Sequence, residues 1–418
     1  RELSLSRLGR FAVLLLASPA AAAPKPGFAP KVAVAGPTRI DWTFCVSNRS
    51  LAEPQAEFLG NGYDSAKQTY DLYLPDRKDP KKPIGAILFI NAGDDAGGWK
   101  EFEPVCAKLG FAYIGVRAAG NGVPGPKRVR IVLDCFDDVR KQVPLDPDRT
   151  YISGFSGGAR MACAIGMSQP EYFGGVLPLA AGGELRDEPW LRHRAVDRLS
   201  AAFVTGTKDF NYGEIFRWKG PQWKDTGVRT KVWGLPAGGH AIPPSATLAE
   251  AVAWLEEGKD KRAALAKKYP ASRAADATPN RDALAKLLLA EGKEKTAADA
   301  TRHAGLMLLK GVFERFPDTD GGKAARTVLE EYEGRKEKPW EATDLAEQKK
   351  YLAAEARGLS DYVLNGIPAE SQYAKARPDM AKRAISIWEL LIQDDPNSPA
   401  AAEGKKLLAE LNAVAKKK

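Results

Sequence analysis

Gly154-Phe155-Ser156-Gly157-Gly158 sets a serine among glycines, directly after the β-rich run 150–153 and directly before an apolar helical stretch with Ala159, Met161, Ala162 and Ala164. A Gly-x-Ser-x-Gly string at a strand-to-helix junction is the pattern of a nucleophile turn. Strained backbone angles push the serine Oγ out of the sheet, and the glycines let strand and helix approach without Cβ clashes. A serine alcohol is a weak nucleophile at neutral pH and needs a base within hydrogen-bond reach.

The chain holds three histidines, His193, His240 and His303. His303 lies among helix-type neighbours, and His193 lies in the polar run Leu191-Arg-His-Arg194. His240 follows the β-rich run 230–235 in the loop Pro236-Ala-Gly-Gly-His240 and is the candidate base. The acid belongs on the loop after the strand between Ser156 and His240, where 201–205 leads into Gly206-Thr-Lys-Asp209. There Asp209 would accept the second imidazole N–H, fix the tautomer and stabilise the imidazolium. Asp187 and Asp197 come too early, and Asp225 sits in a Lys/Trp-rich segment ahead of the last strand. Acyl transfer also needs donors for a developing oxyanion. The Gly157 N–H is one candidate, and the loop Asn91-Ala-Gly93-Asp-Asp-Ala-Gly-Gly98 supplies the other, at Gly93 or Asp94. Trp99, Phe155, Phe210, Tyr212, Trp218 and Trp223 are candidates to line an acyl or aromatic pocket.

Positioning these residues takes a parallel sheet. Short β-rich runs at 70–74, 84–90, 111–116, 150–153, 173–179, 201–205 and 230–235 alternate with helical patterns near 99–108, 129–143, 157–167 and 246–257. Strands separated by helices of this length imply βαβ units and a mostly parallel sheet with helices on both faces. After residue 255 the strand signal stops, and 259–418 reads as an all-α region rich in Ala, Lys, Glu and Leu. Within it Phe313-Glu-Arg-Phe-Pro317-Asp-Thr319 echoes Leu391-Ile-Gln-Asp-Asp-Pro396-Asn-Ser398, each followed by a helix, with Tyr269-Pro270-Ala-Ser272 a degenerate third copy. Helix, Pro-x-Ser/Thr turn and second helix is the pattern of tetratricopeptide-type pairs, whose concave face would take a protein or a polymer, but an Ala-rich hairpin gives the same match by chance.

At the N-terminus, Arg1, Arg7 and Arg10 precede an apolar stretch over 11–17 and an alanine run at 20–23. That is a signal peptide's pattern, too short for a membrane span, and it predicts a secreted or periplasmic protein. The expected division is 1–23 signal peptide, 24–64 extension, 65–258 catalytic domain and 259–418 helical domain. Cys45, Cys106, Cys135 and Cys163 show no metal-ligand spacing, and export would permit one or two disulfides. The net charge of +9 is spread along the chain with no basic–aromatic stripe, which argues against nucleic acid.

Tyr70-Asp-Leu-Tyr-Leu-Pro75, the Ser156 turn, Phe173 with Leu177-Pro-Leu-Ala-Ala-Gly182, Gly206-Thr-Lys-Asp-Phe-Asn-Tyr212 and Gly238-Gly-His240 together resemble the α/β-hydrolase superfamily. Within it they look most like secreted polyhydroxybutyrate-depolymerase-like and feruloyl-esterase-like proteins. The resemblance covers residues 65 to 258 and departs from many esterases at Asn91-Ala92, where those carry His-Gly. It implies serine-dependent cleavage of a small or polymeric ester with no metal or organic cofactor. Serine peptidases share the skeleton, and an inactive binding or scaffold protein is the rival of a different class.

Overall fold

Eight strands form one sheet: β1 (Gly27–Ala33), β2 (Thr69–Leu74), β3 (Ile84–Ile90), β4 (Ala112–Val116), β5 (Leu145–Phe155), β6 (Gly175–Leu179), β7 (Ser200–Gly206) and β8 (Arg229–Leu235). Their order is β1-β2-β4-β3-β5-β6-β7-β8. β1 pairs antiparallel with β2 and β2 antiparallel with β4, and every other pairing is parallel. The computed structural model describes residues 24–47, 63–274, 280–369, 371 and 373–416, so the segment read as a signal peptide lies outside the described residues. Among the described residues no helix is long and apolar enough to cross a membrane.

The period-two alternation of side chains splits the core between the two faces of the sheet. On β3, Leu88 and Ile90 pack with Val132, Phe136 and Ile165, from helices Gly125–Gln142 and Gly157–Ser168. Ile87 and Phe89 point the other way, to Phe102, Val105, Leu248 and Leu255 from helices Trp99–Leu109 and Ser245–Glu256. Buried on both faces, the central strands carry the unbroken apolar runs that made them legible.

β1 falls within the segment read as an extension ahead of the hydrolase domain. Its sequence, Gly-Phe-Ala-Pro-Lys-Val-Ala, is mostly exposed and carries Pro30, so it lacks strand patterning. Proline is tolerated there because β1 is an edge strand. The chain after β1 is strapped across helix Gly125–Gln142 by three fully buried carboxylates. Asp138 accepts from the Ala35 N–H (3.0 Å) and the Tyr70 hydroxyl (2.8 Å). Asp134 accepts from the Thr38 N–H at 2.7 Å, and Asp137 takes both the N–H and the guanidinium of Arg39.

The region after the sheet is all helical among the described residues. It contains two helix–turn–helix pairs, Arg302–Arg315 with Asp320–Glu333 and Arg377–Asp394 with Pro399–Ala415. The sequence echo marks their turns. Thr319 Oγ1 caps one second helix through the Gly322 N–H (3.0 Å), and Ser398 Oγ caps the other through the Ala401 N–H (3.1 Å).

These helices pack closely on the sheet-bearing part. Trp218 shares one apolar cluster with Tyr362, Val363 and Trp388, its ring 5.6 Å from that of Tyr362. Arg315, fully buried, donates to Asp41 (2.9 Å), Glu171 (2.8 Å) and Gln169 Oε1 (3.1 Å). Burial works against the Glu171 carboxylate, but Arg315 and Arg194 outweigh it and hold its pKa below the usual carboxylate value. Replacing Arg315 with Met would leave Asp41 without its cation and Glu171 with Arg194 alone. The expected cost is about 3–5 kcal/mol of unfolding free energy, as for other broken buried pairs. A denaturant titration of the variant checks it, and a loss below about 1 kcal/mol would mean that water replaces the guanidinium.

Candidate active site

The turn at the end of β5 is strained where the chemistry needs it. Ser156 has φ 55° and ψ −116°, a conformation few non-glycine residues adopt, and its N–H donates to Leu179 O at 2.9 Å. The close approach of strand and helix excludes side chains at the flanking glycines. A Cβ on Gly154 would meet Gly158 O at 2.4 Å, and one on Gly158 would meet Ile90 O at 2.0 Å.

His240, in the loop after β8, brings Nε2 to 3.0 Å from Ser156 Oγ. Its Nδ1 lies 3.0 Å and 3.1 Å from the two carboxylate oxygens of Asp209, on the loop after β7. Asp209 Oδ1 also accepts from the Asn211 N–H at 2.8 Å, and Oδ2 from the Thr205 hydroxyl at 3.2 Å. The Asp209 side chain is fully buried, so its charge is held by these donors rather than by water. The imidazole lies near two aromatic rings, Phe155 with centroids 4.8 Å apart and Phe210 at 4.2 Å. A serine hydroxyl, an imidazole and a buried carboxylate joined in this order can pass a proton from Oγ to Nε2 while Nδ1–H stays on the carboxylate.

The two loops carrying the candidate oxyanion donors are tied together. Asn91 Oδ1 accepts from the Ala92 N–H at 2.8 Å, so that N–H is already engaged. Arg128, buried beneath the turn, donates to Asn91 O (2.8 Å), to Gly157 O (3.3 Å) and to Asn121 Oδ1 (3.2 Å). The Asn121 N–H donates to Ala92 O at 2.8 Å, and its side chain fills the place of a Gly157 Cβ, 1.9 Å from Oδ1. Neither Arg128 nor Asn121 was singled out from sequence. Gly120-Asn-Gly122 signals only a turn, and Arg128 is indistinguishable from the other basic residues of its helix.

The other candidates lie elsewhere. His193 and His303 face each other, ring centroids 5.4 Å apart, between helices Pro189–Arg198 and Arg302–Arg315. Asp187 pairs with Arg192, and Asp225 pairs at the surface with Arg357 at 3.4 Å. Asp197 shares a small crevice with His193. All four cysteines are free, and Cys106, Cys135 and Cys163 are buried, so the disulfides that export would permit do not form among them. Of the six aromatics proposed for a pocket, Phe210 and Tyr212 line a cavity beside Asp209. Trp223 is fully buried, Trp218 packs under the C-terminal helices, and Trp99 stacks on Phe28 of β1.

A mostly parallel sheet in this strand order, with a serine on a strained turn at the end of β5, defines the α/β-hydrolase fold. No family model and no curated protein matches the chain. Among solved structures it is similar to an S-formylglutathione hydrolase of Staphylococcus aureus, 18% identical over 45% of this chain and 92% of that chain, TM-score 0.36. A fluorophosphonate-binding serine hydrolase of the same organism is 16% identical over 45% and 92%, TM-score 0.37. Esterase 2 of Thermogutta terrifontis, phosphorylated by paraoxon, is 16% identical over 50% and 92%, TM-score 0.35.

Proposed function

We propose that the protein is a serine hydrolase that cleaves a carboxylic ester through Ser156, His240 and Asp209. One observation carries this reading: the continuous hydrogen-bonded chain from Ser156 Oγ through His240 to Asp209, with the serine on a strained turn. His240 takes the proton of Ser156 as Oγ attacks the acyl carbon, and the N–H groups of Gly157 and Gly93 receive the oxyanion. His240, supported by Asp209, then protonates the leaving alcohol, and water releases the acyl group by the reverse path. No cofactor enters the reaction.

The reading includes location and organisation. The N-terminal Arg-rich, apolar and alanine-ended pattern supports export, to the periplasm or outside the cell. The hydrolase unit ends near residue 258, and the helical pairs beyond it, if tetratricopeptide-like, offer a face to a protein or polymer. Aryl esters set against aminoacyl anilides test ester over peptide chemistry. The kcat/KM for p-nitrophenyl acetate is expected to exceed that for alanine p-nitroanilide by at least about a hundredfold, given the harder amide leaving group. A preference for the anilide would reassign the enzyme as a peptidase.

A further inference from the structure

The turn 118–121 after β4 stands between the two loops that carry the oxyanion candidates. We propose that the side-chain amide of Asn121, oriented by Arg128, is a further donor to the acyl oxygen of the substrate. The inference rests on the serine-hydrolase reading and adds a residue to its site.

Position comes first. Gly120 abuts one candidate donor and Asn121 the other. A Cβ on Gly120 would lie 2.9 Å from the carbonyl carbon of Gly93, and the Asn121 amide occupies the place of a Cβ on Gly157. Three hydrogen bonds fix the turn there. The Ala118 N–H donates to Asp94 O at 2.7 Å, the Asn121 N–H donates to Ala92 O at 2.8 Å, and Asp94 Oδ1 accepts from the Gly120 N–H at 3.0 Å.

Arg128 sets the orientation. A guanidinium offers only donors, so the amide atom facing it at 3.2 Å is the oxygen. The NH₂ group is then turned away from Arg128. It has no hydrogen-bond partner among the described residues, and its side chain is open to solvent. Turn chemistry does not account for the residue. Asn121 does not take up a positive φ, the conformation for which asparagine is favoured in turns, so alanine fits the same backbone.

Arg128 also brings charge to the same place. It is buried, its hydrogen bonds go to the uncharged oxygens of Asn91, Asn121 and Gly157, and its Nε has no partner among the described residues. Burial lowers its pKa, and Asp94 acts against that. A buried cation bonded only to neutral groups favours negative charge developing close by. Its bond to Oδ1 also polarises the amide, which strengthens the NH₂ group as a donor.

The test uses the full chain, p-nitrophenyl acetate, and a trifluoromethyl ketone that adds to a reactive serine as a tetrahedral oxyanion. Asn121→Asp keeps the shape and the acceptor for Arg128 but puts an oxygen where the NH₂ stood, and Asn121→Ala removes the amide altogether. Each is expected to keep its fold by circular dichroism and to lower kcat/KM about a hundredfold, the worth of one oxyanion donor. The inhibition constant of the ketone should rise in parallel, because the ketone presents the same oxyanion. A merely structural role predicts instead that Asn121→Asp, which retains the contact with Arg128, stays near wild type. Having two variants covers the case in which one fails to fold. A loss below about tenfold in a folded variant, or an unchanged inhibition constant, would overturn the proposal, while Ser156-dependent turnover by the wild type would leave the serine-hydrolase reading intact. A wild-type chain without Ser156-dependent turnover would fail both.

Discussion

Ester turnover is expected to fall at least about a thousandfold when Ser156 is replaced by alanine, with the fold unchanged. The substitution removes one atom, and that atom's described partner is His240 Nε2 at 3.0 Å. Without it the covalent route is closed, and only binding and oxyanion stabilisation remain. A thousandfold is about 4 kcal/mol of transition-state stabilisation. The fold has no reason to change, because alanine meets the same backbone strain at φ 55° as the serine it replaces. The measurement is kcat on p-nitrophenyl acetate beside a circular-dichroism melt. Most of the turnover surviving in folded Ser156→Ala protein would remove Ser156 from the mechanism.

Asp209→Asn is expected to lower kcat by on the order of 10² to 10⁴. Asp209 is surrounded by donors: His240 Nδ1, the Asn211 N–H and the Thr205 hydroxyl. An amide can satisfy only part of that set, and its NH₂ group facing Nδ1 would move the imidazole proton to Nε2. His240 could then no longer accept from Ser156. Asp225→Asn is the control, since that carboxylate sits at the surface against Arg357 and should change kcat less than about twofold. A near wild-type Asp209→Asn beside a dead Asp225→Asn would mean that the acid had been misassigned.

The sequence disclosed most where local chemistry is self-contained. β3, β4 and β6 are short apolar runs bounded by turn residues, and the order of serine, aspartate and histidine after β5, β7 and β8 indicated which residues should meet. It was silent where the meaning of a residue depends on a distant partner. Asp134, Asp137 and Asp138 share one helix face and read as a solvated stripe, yet the strap after β1 buries all three. Arg315 reads as one more basic residue near a helix end, while its carboxylate partner Asp41 is 274 positions away. Amphipathic spacing in the C-terminal helices shows that each has a buried face but not what covers it, so the approach of Gly366 to Gly213 was out of reach.

Covalent labelling tests the central claim most directly. The purified full chain, treated with a fluorophosphonate probe and mapped by peptide mass spectrometry, should carry one phosphonyl group on Ser156. The label should vanish in Ser156→Ala and form far more slowly in His240→Gln, because the probe reports an activated serine rather than an exposed one. Folded protein that stays unlabelled, or carries the label on a different serine, would contradict the account.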